Sequence, residues 1–146
     1  MFLSRVAKLD VSIYSLIIKK ENTQKKLKEN LPILYNYLTK ILLEKVLLNI
    51  KREKLIICLD KCMSKPQRDN FENYLKTEFF NLFQEIPDVD IIHENSCSHQ
   101  GLIVTDFVCC AFWYKYNTLK LKEGSDHYLN IIQHQIKIEK NDLFKK

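Results

Sequence analysis

Three short apolar runs constrain this chain most: VSIYSLII (11–18), KLIICLD (54–60) and VDIIH (89–93). Each has the length and the β-branched content of a strand. The segments between them are too long for hairpins and carry helical periodicity. Leu31–Ile50, with Pro32 suited to a first helical turn, is apolar around most of its circumference and predicts a helix packed on more than one side. Its polar residues Asn36, Lys40 and Glu44 form one stripe that reads as a solvent face. Pro66 opens a second helix toward Phe83, with Phe71, Leu75, Phe79, Leu82 and Phe83 at helical spacing. A third, strongly apolar helix spans about Gly101–Asn117, and the tail predicts a short helix followed by an edge strand at Gln135–Ile138. Lys19–Asn30 reads as a polar connector. Strands alternating with helices imply an α/β fold: a parallel or mixed sheet with crossover helices on its faces.

The 146 residues suit one domain, 1–146, with no repeat and no compositional boundary. Only Gly101 and Gly124 are glycines, so neither a phosphate-cradling Walker loop nor a dinucleotide-binding turn is present. No apolar run reaches the ~18 residues of a membrane span, and MFLSRVAKLD lacks the apolar stretch of a signal peptide, which gives the expectation of a cytoplasmic protein without a membrane partner. The formal net charge of +5 permits a nucleic-acid partner without locating one. Arg5, Arg52 and Arg68 are the only arginines among 23 basic residues, and arginine is the better phosphate reader. Five cysteines in apolar segments do not form a secreted disulfide framework. A zinc set drawn from Cys58, Cys62, His93, Cys97 and His99 lacks paired ligand spacing, so reduced thiols are the expectation.

Chemistry in parallel α/β sheets gathers at the carboxyl ends of strands, which directs attention to Asp60 and to the turn HENSCSHQ with His93, Glu94, Ser96 and His99. Asp60 either starts a turn or holds a ligand. His93 could serve as base, metal ligand or proton shuttle, and Ser96 or Ser98 reads as the cap of the following helix. Asp106 stands alone in GLIVTDFVCCAFWY, with Leu102, Ile103, Cys109 and Cys110 around it. Buried there, the carboxylate would have to be protonated, paired or bound to a cation. Asp60 and Asp106 together could share Mg²⁺ or Mn²⁺, hard cations that take oxygen ligands. The aromatic cluster Phe112, Trp113, Tyr114 and Tyr116 reads as core and rim rather than a base-stacking platform.

The stretches IYSLIIKK, LYNYLTKILLEKVL, LIICLDKCMSK and IIHENSCSHQGLIVTDFVCCAFWYKYN resemble the domain-of-unknown-function family numbered 3800, whose members are ribonuclease H-like in fold. The resemblance covers about Val11 to Asn117. It implies that Asp60 matches the acid after the family's central strand and Asp106 the acid on its final core helix. His93 and Ser96 match the polar motif before that helix. It further implies a metal-dependent nuclease or phosphodiesterase, with Asp60, Asp106 and His93 as catalytic residues and Mg²⁺ or Mn²⁺ at Asp60 and Asp106. The chain departs from the family at Ile103, at Cys109 and Cys110, and in its opening strand, where the family's Asp-Glu-Ser-Gly signature has no counterpart and Asp10 has no such residues after it. An N-terminally truncated or degenerate member follows, either catalytic or a non-catalytic binding subunit. A homodimer or a partner chain would complete its sheet, or the segment Phe2–Ala7 or the strand Val11–Ile18 would move into the gap beside KLIICLD.

Overall fold

The computed structural model describes residues 2–19, 21, 23–49, 54–82, 88–117 and 126–140. In chain order the elements are α1 (Phe2–Val6), β1 (Ile13–Leu16), α2 (Lys25–Lys28), α3 (Leu31–Asn49), β2 (Lys54–Asp60), α4 (Lys65–Leu82), β3 (Asp88–Glu94), α5 (Gln100–Tyr116), α6 (His127–Ile132) and β4 (Ile136–Lys140), with one turn of 3-10 helix at Gln133–Gln135 between the last two. The chain is α/β. Close contacts divide it into two compact units, one of residues 1–13, 58–61 and 93–137 and the other of 14–57, 62–92 and 138–146. No helix among the described residues is long and apolar enough to cross a membrane.

Among the described residues the strands form two separate pairs, β1 with β4 and β2 with β3, where the sequence predicts one sheet. β2 and β3 run parallel. Lys54 at the start of β2 meets Asp90 at 3.0 Å and Asp88 at 3.8 Å, both at the start of β3. At the other end the Lys61 N–H donates to the Glu94 carbonyl at 2.8 Å. Parallel neighbours need a crossover, and α4 supplies it. β3 alternates, with Val89, Ile91 and His93 on its half-buried face and Asp88, Asp90, Ile92 and Glu94 outside. β1 takes the tail strand β4 as neighbour rather than a place beside β2, and the segment expected to fill that gap is the helix α1. The apolar residues Leu3 and Val6 explain the difference, since a helix buries both on one side.

The 14–57, 62–92 and 138–146 unit is organised by α3 on α4. Phe71, Leu75 and Phe79, four residues apart along α4, are buried completely or nearly so. Tyr35 of α3 reaches Phe71 with ring centroids 5.8 Å apart. The Ser64 hydroxyl and N–H both donate to Gln67 Oε1, at 2.9 and 3.0 Å, which fastens the start of α4. Lys40, expected on a solvent stripe, instead pairs with Glu78 of α4, with both side chains about a quarter exposed. α3 itself is covered less than its composition predicts: Leu34 is its one buried residue, and Leu31, Ile33, Tyr37 and Leu48 are exposed. Leu82's side chain and Phe83 lie outside the described residues.

The other unit is built from α1, α5 and α6. Val6, Leu102, Val108, Ala111, Phe112, Leu129 and Ile132 form its core. Gln135 is buried among them, and its side-chain amide donates to the Val6 carbonyl at 2.9 Å and the Leu9 carbonyl at 2.7 Å. Those carbonyls sit at and just beyond the end of α1, where a helix runs out of internal donors.

Two outcomes check this packing. Phe71→Ala should lower unfolding free energy by about 3–5 kcal/mol in denaturant titration, because it empties a fully covered site. The Glu78 hydrogen bond and charge hold the Lys40 ammonium above its ordinary value, burial opposing them. A raised folded value means the stabilisation is complete below 10.5 and is lost as pH rises through the folded value. A Lys40→Met, Glu78→Gln double-mutant cycle should give about 0.5–1 kcal/mol of coupling at neutral pH that fades in strong alkali.

Candidate functional site

The carboxyl ends of β2 and β3 and the loop that follows form the site the sequence singles out. Parallel pairing brings Asp60 beside the residues after Glu94. Asp60 is half-buried, and its Oδ1 accepts the Ser96 N–H at 3.3 Å. Asn95 shapes the loop in turn. Its Oδ1 accepts the Cys97 N–H at 3.0 Å, and its carbonyl takes the Ser98 hydroxyl at 3.1 Å and the Ser98 and His99 N–H groups at 3.0 and 3.1 Å. This is an Asx turn running into the start of α5.

The cap of α5 is His99, where the sequence predicts Ser96 or Ser98. His99 has extended backbone and its Nδ1 accepts the Leu102 N–H at 3.3 Å. The serines are unavailable because Ser96 is drawn toward Asp60 by its N–H and the Ser98 hydroxyl folds back on Asn95. The imidazole also explains Gly101: a Cβ there would stand 3.1 Å from His99 Cε1 and 3.3 Å from Nδ1. An accepting Nδ1 requires a ring that carries no proton on that nitrogen.

Asp106 departs most from expectation, for its residue is exposed. Along α5 the buried positions are Leu102, Val108, Ala111 and Phe112, and Asp106 lies off that face. The apolar neighbours that predicted burial, Cys109 and Cys110, are themselves exposed. The Cys109 thiol is pushed up by the surrounding protein although the residue touches solvent, and the Asp106 charge adds to this. His93 is half-buried on the inner face of β3. Phe112 is core and Trp113 and Tyr114 are rim, as their cluster predicts, while Tyr116 is half-buried.

The test of a metal site is therefore one of convergence. Asp60, His93 and Asp106 are all described, and among the described residues no three His, Cys, Asp or Glu side chains gather into a set that could hold a metal ion. The same holds for Cys58, Cys62, His93, Cys97 and His99, the cysteines all being free thiols. Mg²⁺ and Mn²⁺ take several oxygens converging on one point. What sequence reading missed is the role of His99 and the outward aspect of α5. The first had no signal, since histidine is not a preferred cap. The second was legible in principle, because a helix apolar on every side needs more neighbours than one small domain offers.

Comparison with protein-family models, with curated proteins and with solved structures returns no match for this chain.

The loop chemistry gives a stability prediction. His99→Ala should cost about 1 kcal/mol in chemical denaturation, and His99→Asn should restore most of it, since asparagine caps the same N–H. Asp60→Ala should cost a similar amount, while Asp60→Asn, which keeps an acceptor for Ser96, should stay close to the parent.

Proposed function

We propose that this chain is a non-catalytic interaction module, a degenerate relative of the ribonuclease H-like family it resembles, and that its working surface is the outer face of α5. One observation carries the reading. Phe107, Trp113 and Tyr114 project from α5 with about half of each residue open to solvent, and Phe2 stacks on Phe107 at 4.3 Å to widen the same surface. Isolated exposed aromatics are ordinary, but a contiguous set on one helix is the composition of a protein-binding patch.

The polar groups support the same conclusion. Asp60, which a nuclease would commit to a metal, accepts a backbone N–H from the loop after β3. Asp106, the second carboxylate of the proposed metal pair, stands on the exposed side of the helix. Within α5, Lys115 is the single cation. A nucleic-acid surface needs several cations beside its stacking rings, since phosphate contacts supply most of the affinity. The partner of this face is therefore an apolar protein surface.

The competing reading is a Mg²⁺- or Mn²⁺-dependent phosphodiesterase acting on nucleic acid through Asp60, Asp106 and His93. It is favoured by the position of Asp60 at the carboxyl end of a parallel strand pair. A single set of measurements separates the two. Trp113 is the sole tryptophan, so its emission reports the α5 face alone. In dilute protein it should be red-shifted and freely quenched by acrylamide. Mn²⁺ and oligonucleotides should leave it unchanged, and no cleavage should occur. Mn²⁺-dependent cleavage that disappears in Asp106→Asn would establish the phosphodiesterase and remove the interaction module.

A further inference from the structure

We infer that the partner of the α5 face is a second copy of this chain, docked helix against helix in antiparallel sense with Cys110 on the two-fold axis. The inference rests on the interaction reading above and names the occupant. It comes from the order of residues along the face. Ile103, Asp106, Phe107, Cys110, Trp113 and Tyr114 recur at intervals of three and four, so they line one stripe of the helix. All are exposed except Ile103, which is half-buried.

A two-fold axis through Cys110 matches each residue with the one equally far on the other side. Phe107 then faces Trp113 of the second copy, aromatic against aromatic, and Asp106 faces Tyr114. The Tyr114 hydroxyl donates and the Asp106 carboxylate accepts, so the stripe's one charge meets a donor twice over, once in each direction. That is the self-complementarity an isologous interface requires. Within α5, like-charge repulsion between two chains of formal net charge +5 is not concentrated on the stripe, because Lys115 lies about 140° around the helix from its centre at Cys110.

Area sets the strength. Phe107, Trp113 and Tyr114 are 46%, 50% and 47% exposed, and Phe2 and Tyr128, which touch them, are 37% and 38% exposed. At ~150–250 Å² for a fully covered aromatic, the five rings offer on the order of 400 Å² per copy. With the smaller side chains between them, a pair reaches the lower edge of specific interfaces, near 1,000 Å² in total. The expected dimer is a reversible one in the micromolar range.

Sedimentation velocity across micromolar concentrations, read beside Trp113 fluorescence, tests this. A monomer–dimer equilibrium should appear, with Trp113 emission moving to the blue and its quenching falling as dimer forms. Trp113→Gln and Phe107→Gln should each weaken association by at least about tenfold, and Tyr114→Phe, which removes only the hydroxyl, by less. All three positions are half exposed, so circular dichroism should stay that of the parent. A short bismaleimide should link two copies, and Cys110→Ser should abolish the link while Cys62→Ser, Cys97→Ser and Cys109→Ser do not. A monomer at every concentration with Trp113 open to quencher would overturn the second copy as partner and leave the interaction surface standing. A monomer whose Trp113 is shielded from quencher would remove both, because the chain would then cover the face itself. A dimer indifferent to Trp113→Gln and Cys110→Ser would put the contact elsewhere and overturn the inference.

Discussion

Parallel strands cannot be joined by a tight turn, so once Lys54–Asp60 pairs with Asp88–Glu94 the chain between them must cross over, and α4 is that crossover. The pairing also decides what lies at the carboxyl end. With the Lys61 N–H on the Glu94 carbonyl, Asp60 comes level with the loop that leaves β3 and accepts the Ser96 N–H. That contact orders the residues that become the Asx turn, and the turn delivers His99 to the first turn of α5. The Asp60 carboxylate thereby fixes the entry of a helix.

The unit built on α5 solves a second problem, the carbonyls at the end of α1, where the Val6 carbonyl takes the Leu9 N–H but helical donors have run out. A helix as short as Phe2–Val6 has almost no internal hydrogen bonding of its own. It persists because Leu3 and Val6 are buried and because Gln135, more than a hundred residues later, donates its amide to the carbonyls of Val6 and Leu9. His134 Nε2 adds a contact to the Ala7 carbonyl at 3.2 Å. A buried amide in this position costs desolvation that only those two hydrogen bonds offset.

Much of the element order was legible because it rests on local signals. The apolar runs became β2 and β3 within a residue or two, Pro66 stands in the first turn of α4, and the spacing of Phe71, Leu75 and Phe79 marks the covered face of that helix. What failed depends on long-range choice. Whether β1 lies beside β2 or beside β4 is not written in VSIYSLII, since either neighbour satisfies the same backbone groups. Asp106 misled for a related reason. An acid flanked by apolar residues is buried only if the whole helix is, and which side of α5 faces inward is set by α1 and α6 rather than by its own composition.

The same asymmetry bears on what the positive charge means. A chain rich in lysine invites a polyanionic partner, yet the surface with the strongest binding composition holds almost no cations: α5 presents aromatic rings and one carboxylate, with Lys115 turned from the centre of the stripe. Charge at a distance from that patch speeds or slows encounter and keeps copies apart, whereas the free energy of a bound state comes from the surface removed from water. With Phe107, Trp113 and Tyr114 about half exposed, the outer stripe of α5 leaves that free energy ungained for as long as nothing covers it.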